Sequence, residues 1–216
     1  STDTDDEQEA YLVLTSVENG ANETCYILFT MVRNGDELMV FSAYRLTRYT
    51  KPYQNSVPKL YLPKPEMTAF IVFEDAIVLV EVTQKLEHSL VTNRKWEDVV
   101  LFRSGVKIIG TGFEDYSYED GVFTNLPSVI VVSKKAGVLK IERCISSDDL
   151  KDTQQSFTST SFTKSKIEQA VFYGYTDNNP LLFNVPENTI IEESEIEQAI
   201  ISVGDELVGS KSAYLP

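Results

Sequence analysis

The 216 residues suffice for one buried core, and a hydrophobic share of 42% with 11 Tyr and 11 Phe excludes global disorder. The 33 acidic against 19 basic residues leave a formal charge of −14. That balance argues against direct nucleic-acid binding, which needs clustered Lys and Arg; Lys134-Lys135 and Lys164 with Lys166 are too sparse.

Residues 1–8 are acidic and polar and read as a flexible end. Tyr11 to Val17 is apolar enough for a strand, and Glu18 to Asn22 for a turn. Cys25 to Arg33 forms a second strand, and Asn34-Gly35 predicts a hairpin into Leu38 to Leu46. In that run Leu38, Val40, Ser42 and Tyr44 alternate with Met39, Phe41, Ala43 and Arg45, so large groups point both ways and the strand is expected to be buried on both sides. Residues 47–66 hold four of the eight prolines and read as a connection, with a short edge strand at Lys59 to Leu62.

A second hairpin pairs Met67 to Phe73 with Ala76 to Thr83 around Glu74-Asp75. Strands follow at Val99 to Phe102, Val106 to Thr111, Val129 to Ser133 and Val138 to Arg143. The segment from Gly112 to Pro127 is acidic and aromatic and reads as a loop; residues 146–164, rich in Ser and Thr, read as a flexible one. Ser165-Lys166-Ile167-Glu168 is a capping box opening a helix that Gly174 ends, with Ile167, Val171 and Phe172 as its buried side. Ser194 to Glu197 opens a second helix, whose Ile196, Ala199, Ile200, Val203 and Leu207 make one apolar stripe. The succession of short antiparallel strands predicts a mainly β fold, a sandwich, barrel or propeller, with two short helices at the end; strands apolar on both faces suit the stacked sheets of a propeller, but their spacing alone does not select it, and no Gly-His…Trp-Asp repeat occurs.

Residues carrying chemistry are sparse. His88, the one histidine, lies in a polar segment and reads as a surface residue, and neither a nucleophile elbow nor a phosphate loop occurs. Cys25 and Cys144 stand far apart without a CxxC neighbour, so they read as reduced, packed thiols; no metal, cofactor or small-molecule substrate is expected. The sequon at Asn22 reads as chance, and no apolar run approaches the ~20 residues needed to span a bilayer. Trp96 is a candidate partner contact or, equally, a packing residue opening a sheet; Tyr116 and Tyr118 of the acidic loop are further candidate contacts. Asp115 and Glu119 would be the carboxylates of a rival reading as a β-rich glycosidase. Phe157 and Phe162, in a weakly charged Ser/Thr run, would be the membrane contacts of another rival.

Several segments, in order along residues 20–216, resemble the fungal nucleoporin 133 family. They include Asn22 to Leu28, Phe41 to Leu46, Arg94 to Val100, Ile108 to Gly112, Gly137 to Leu139 and Gln169 to Tyr173. Asn179-Pro180, Phe183 to Pro186, Gly204 to Val208 and Tyr214 to Pro216 extend the series. The loops at 113–127 and 146–163 carry no resemblance.

The resemblance implies an N-terminal β-propeller followed by an α-helical stack. It implies a structural role in the Y-shaped scaffold of the nuclear pore complex at the nuclear envelope, in support of mRNA and protein transport, with other Y-complex nucleoporins as partners. It carries no catalytic residue. The family's membrane-sensing propeller loop matches no segment of this chain and is expected upstream. On this reading residues 9–164 are late propeller blades, residues 165–186 a capped helix and closing segment, and residues 187–216 a helix leading to a further helical domain. An inner-ring nucleoporin propeller is the alternative within the same class.

Overall fold

The computed structural model describes residues 9–18, 20, 23–52, 56–82, 96–119, 122–143, 163–164, 166–168, 170–171, 179–182 and 193–209, with backbone alone at 51–52, 118–119 and 122–125. Two compact units are present, one drawn from residues 1–55 with 85–93 and the other from residues 56–84 with 94–216.

The first unit holds one antiparallel sheet. Strands β1 (Ala10–Glu18), β2 (Glu23–Asn34) and β3 (Glu37–Arg45) form a meander, and β4 (Lys51–Pro52) pairs with the start of β2. The β2–β3 turn falls one residue later than the Asn34-Gly35 signal suggests. Asn34 pairs with Glu37, and Gly35 and Asp36 form the loop. Gly35 takes φ 62 while Asp36 does not enter the left-handed region. A positive φ at the first loop residue alone is the pattern of a II′ hairpin turn, which reserves that place for glycine.

A bulge between Thr30 and Met31 resets the alternation of β3, since Thr30 faces Ser42 and Met31 faces Val40. Leu38 and Val40 therefore share a side with Ala43 and Arg45, and not, as strict alternation predicts, with Ser42 and Tyr44. Thr24, Cys25, Tyr26, Leu28, Leu46 and Tyr49 are buried, with the Tyr26 and Tyr49 rings 6.1 Å apart. Arg45 Nη2 donates to Cys25 Sγ at 3.0 Å. The expectation that β3 is covered on both sides fails: Leu38, Met39 and Val40 are 57%, 54% and 57% exposed. The hairpin runs past the small buried cluster at the start of β2, and its apolar turn end lies beyond the reach of that cluster.

The second unit carries the larger core. Its five-stranded sheet runs in the order β14-β8-β7-β6-β5, with β5 at Lys59–Tyr61, β6 at Thr68–Val72, β7 at Ala76–Glu81, β8 at Glu97–Phe102 and β14 at Leu181–Leu182. Every residue of β6 is buried, as are Ala76 to Val80, so both faces of the central hairpin are covered. A three-stranded sheet follows, in the order β13-β12-β9, from β9 (Ile108–Glu114), β12 (Ser128–Ser133) and β13 (Gly137–Glu142). Phe70, Val72, Ile77, Leu79, Val100 and Phe102 from the first sheet pack with Val129 and Val131 from the second. Full burial of each such side chain stabilises by roughly 1.5–3 kcal/mol.

The acidic stretch from Gly112 to Pro127 is not one loop. It finishes β9 and then holds a separate hairpin, β10 (Ser117–Glu119) with β11 (Val122–Asn125). Its Tyr, Val, Phe and Thr are good strand formers despite the surrounding charge.

Two helices complete the unit. In α1, residues 163–164, 166–168 and 170–171 are helical. The helix is already under way at Thr163, before the expected cap at Ser165, because this first turn is fastened elsewhere. Thr163 Oγ1 donates to Glu195 at 2.6 Å, and the Lys164 ammonium pairs with Glu206. Both acceptors lie on α2 (Glu193–Val208). A further correction concerns the buried side of α1. Val171 is 52% exposed and Ile167 only half-buried, whereas Lys166 is 6% exposed. The inward face is thus the first turn, held by polar contacts, and the expected apolar stripe does not carry it. Phe172 and Gly174 lie outside the described residues. In α2 the stripe is half covered, with Ala199 and Val203 buried while Ile196 and Ile200 are 39% and 54% exposed.

Candidate functional site

The densest polar chemistry of the second unit gathers where β6, β7 and β8 meet the end of β13 and α1. Trp96 stands just before β8 and belongs to the core cluster. Its backbone N–H donates to Glu81 Oε2 at 3.4 Å, and the Arg143 guanidinium lies 4.5 Å over its ring. Such stacking holds a desolvated cation against the negative face of the indole. Arg143 Nη1 also donates to Thr68 Oγ1 at 2.6 Å, tying the residue after β13 to the first residue of β6. On the α1 side, Lys166 pairs with Asp98 at 3.4 Å and donates to the Val99 carbonyl. Asp98 Oδ1 accepts in addition from the Val99 amide at 2.7 Å.

The Lys166 and Asp98 side chains are 7% and 6% exposed. Two charges this deep are tolerable only with a matched partner and further hydrogen bonds, and both conditions are met. The arrangement fastens one helix and one strand end to a sheet. The Asp98 carboxylate is engaged by an ammonium and an amide, and the Glu81 carboxylate accepts from the Trp96 amide.

A second set of contacts stitches the edge strand β5 to β9. Tyr61 and Thr111 share a hydroxyl hydrogen bond of 2.5 Å, Lys59 Nζ donates to Thr111 Oγ1 at 3.0 Å, and the Tyr61 and Phe113 rings lie 5.6 Å apart. Just beyond, the Lys64 amide donates to Asp115 Oδ1 at 2.8 Å and the Tyr116 amide donates to the Lys64 carbonyl at 3.0 Å. Asp115 therefore serves as a clamp on a backbone amide. On the outer face of the three-stranded sheet, Lys140 sits between Glu114 at 2.8 Å and Glu142 at 2.7 Å. Its hydrogen bond and charge hold the Glu114 carboxyl below the usual range, and the two glutamates raise Lys140. Where α1 meets α2, burial lifts the Glu168 carboxyl above its ordinary value, with Lys164 opposing and Glu206 reinforcing the shift.

The residues singled out in the sequence fall in different places. The Trp96 ring fills the core, in line with its packing reading. Tyr116 is half-buried with its amide engaged. The Tyr118 backbone lies on β10 opposite Phe123. The side chains of Tyr118 and Glu119, and the whole of His88, Cys144, Phe157 and Phe162, lie outside the described residues. Among the described residues no group of three or more His, Cys, Asp or Glu is placed to hold a metal ion, and no helix is long and apolar enough to cross a membrane. A shallow hollow lies along α2, lined by Gln198, Ile201, Ser202, Asp205 and Glu206. All five belong to one helix, so nothing in that lining encloses a small molecule.

Sequence reasoning did not find Arg143, Thr68 and Lys166, because their partners are distant along the chain and nothing local marks them. It also passed over the convergence of Lys107 with Lys134 and Lys135. The Lys134 amide donates to the Lys107 carbonyl at 3.2 Å, and the Lys135 ammonium lies against Gly105.

Comparison with known proteins gives this scaffold a family. The chain is 28% identical to nucleoporin NUP133 of Saccharomyces cerevisiae over 225 residues, covering 97% of this chain and 18% of the relative. It is 27% identical to NUP133 of Chaetomium thermophilum, covering 98% of this chain and 17% of the relative. Nucleoporin nup132 of Schizosaccharomyces pombe is 28% identical over 162 residues, or 73% of this chain and 13% of the relative. The chain thus spans less than a fifth of the length of the curated relatives it matches. The crystal structure of the Vanderwaltozyma polyspora Nup133 β-propeller domain superposes with a TM-score of 0.51 at 30% identity, over 62% of this chain and 35% of that one. The antiparallel sheets are accordingly those of part of a β-propeller. Residues 3–140 match the family model described as Nup133 N terminal like, and the chain belongs to that nucleoporin family.

Proposed function

We propose that this chain is a propeller segment of a structural nucleoporin and contributes to the scaffold of the nuclear pore complex at the nuclear envelope. The observation that carries the reading is the family match over residues 3–140, continued by relatives named as nucleoporins along nearly the whole chain. The character of the polar chemistry supports it. The buried charges fasten elements together, and the one carboxylate of the glycosidase alternative that is described, Asp115, is spent on the Lys64 amide. The role is structural and not enzymatic.

Within that reading the partners are other members of the Y-shaped coat, and the protein supports mRNA and protein transport through the pore. Residues 9–164 are late blades, and residues 187–216 lead towards a helical domain. The closing role in residues 165–186 falls to β14, a view supported by the pairing of Leu181 and Leu182 with Phe102 and Leu101 of β8. Tyr116 and Tyr118 are proposed as partner contacts. Membrane association of the full protein is proposed to rest on a propeller loop outside these residues.

The test is to tag the full-length native protein, image it, and capture its neighbours. Rim staining of the nucleus with co-capture of Y-coat members is the expected result. Rim staining with inner-ring members alone would reassign the partners, and a uniform cytosolic signal with no pore protein captured would overturn the reading.

A further inference from the structure

We propose that the outer edge of β13, flanked by Lys107, Lys134 and Lys135, takes an extended acidic segment of a partner protein as an added strand. The inference is independent of the role proposed above.

Three observations meet at this edge. First, β13 is the terminal strand of its sheet, and no described strand pairs with its outer side. A free edge presents a row of backbone donors and acceptors ready for another chain. Second, the edge is not blunted. β12 and β13 pair without a register shift from Ser128 with Glu142 to Ser133 with Gly137, whereas the opposite edge, β9, leaves Ile109 over between its pairings with Val132 and Ser133 of β12. The lysine within the strand, Lys140, is held between Glu114 and Glu142, a trio of net charge −1, so it does not stand as a free blunting cation, and the attraction for an acidic segment lies at the turn end of the strand. Val138 is 68% exposed beside this edge and gives an incoming strand an apolar contact.

Third, the turn leading into β13 is cationic. Lys134 and Lys135 precede Gly137, which takes φ 76, and the backbone bond from Lys134 to Lys107 brings the residue before β9 alongside. Lys107, Lys134 and Lys135 are exposed, and none has an acidic partner among the described residues. Three cations without an acidic partner among the described residues, in a chain of net charge −14, form a local exception to its field.

That contrast selects the occupant. A large polyanion such as duplex nucleic acid or an anionic membrane would meet the repulsion of the whole acidic molecule. A short acidic peptide meets only the patch within a screening length of about 8–10 Å. Surface ion pairs alone add little, so the backbone pairing along β13 supplies the rest of the recognition.

The experiment uses the 216-residue chain and a fluorescein-labelled peptide of about ten residues alternating Glu with Val or Thr, a length matched to one strand. Parallel arms use the same peptide with Lys for Glu, a short DNA duplex, and phosphatidylserine vesicles. Binding of the acidic peptide alone is expected, weakening as salt rises, with slowed amide exchange over residues 137–142. The K107E/K134E/K135E variant should weaken it about tenfold or more. These side chains are exposed and have no acidic partner among the described residues, so its circular dichroism should match the parent; a K107Q/K134Q/K135Q variant, expected to bind at intermediate strength, covers the case in which reversal perturbs folding. The proposal is overturned if the acidic peptide does not bind, if charge reversal leaves binding unchanged, if residues 137–142 gain no protection, or if DNA or vesicles bind through the same lysines in place of the peptide.

Discussion

Removing the Asp98 carboxylate should destabilise the second unit far more than removing the whole ion pair. Lys166 and Asp98 lie 3.4 Å apart with side chains 7% and 6% exposed. At an effective dielectric constant of about 20 their gross attraction is on the order of 5 kcal/mol, and desolvation consumes much of it. Asp98→Ala keeps the ammonium against the Val99 carbonyl but takes away its counter-charge, at a cost of about 3–5 kcal/mol. Lys166→Met leaves the carboxylate buried and should cost a similar amount. The double variant removes both charges and should cost much less than the two singles together, giving a coupling of several kcal/mol in a double-mutant cycle. Urea unfolding followed by Trp96 fluorescence reports on this unit, and a slope of about 1–3 kcal/mol per molar turns the loss into a midpoint shift of one to several molar. A cost below about 1 kcal/mol for either single, or simple additivity, would refute the view that the pair is a matched buried lock.

Three further outcomes follow from the packing. Phe70→Ala, at a position with no exposure in the core, should cost about 3–5 kcal/mol in the same assay, since the two packed sheets cannot collapse fully onto the void. In the first unit, Leu28→Ala should cost about 2–5 kcal/mol, while Leu38→Ser with Val40→Ser should move thermal stability by no more than about 0.5 kcal/mol, because Leu28 is 3% exposed and both partners of the pair are 57% exposed. Glu168→Gln should stabilise at neutral pH. The raised carboxyl means that the folded state binds more protons than the unfolded one above the ordinary value of 4.5, so stability falls as pH rises through that window. The gain from the substitution should vanish at acid pH, and a gain of equal size at every pH would contradict burial as its cause.

Much of the fold was legible in local pattern. The apolar runs Met67 to Phe73 and Ala76 to Thr83, broken by Glu74-Asp75, mark the β6–β7 hairpin, and the observed register of Val72 with Ile77 agrees with it. The edge strand at Lys59 is visible because prolines bound it. The β10–β11 hairpin was hidden because acidic residues mask its strand formers, although Asp120-Gly121 separates them in the sequence. Burial was less legible than structure. Apolar residues at Leu38 to Val40 and Val171 say that a surface favours cover, but the covering element is not encoded next to them. Conversely, Lys166 reads as a solvated charge until β8 brings Asp98 beside it. The fastening contacts are all long-range, from Arg143 to Thr68 and from Lys166 to Asp98, so no spacing rule reaches them. The cationic turn was half visible as Lys134-Lys135, and only strand pairing adds Lys107.

The bulge in the first sheet has a consequence for how the chain tolerates change in length. Phe41 is the residue left over between the pairs Thr30 with Ser42 and Met31 with Val40. It acts as a slip joint, because the pairs on either side keep their partners whether or not that residue is there. Loss of Phe41 would leave Leu38 and Val40 on the Met31 side and Tyr44 opposite Leu28. Loss of one residue from Ile27 to Thr30 would instead turn every later side chain of the strand to the opposite face. Length variation in this hairpin is therefore expected to concentrate at one position, and a single deletion scanned along β2 and β3 would find the fold forgiving there and unforgiving a few residues away.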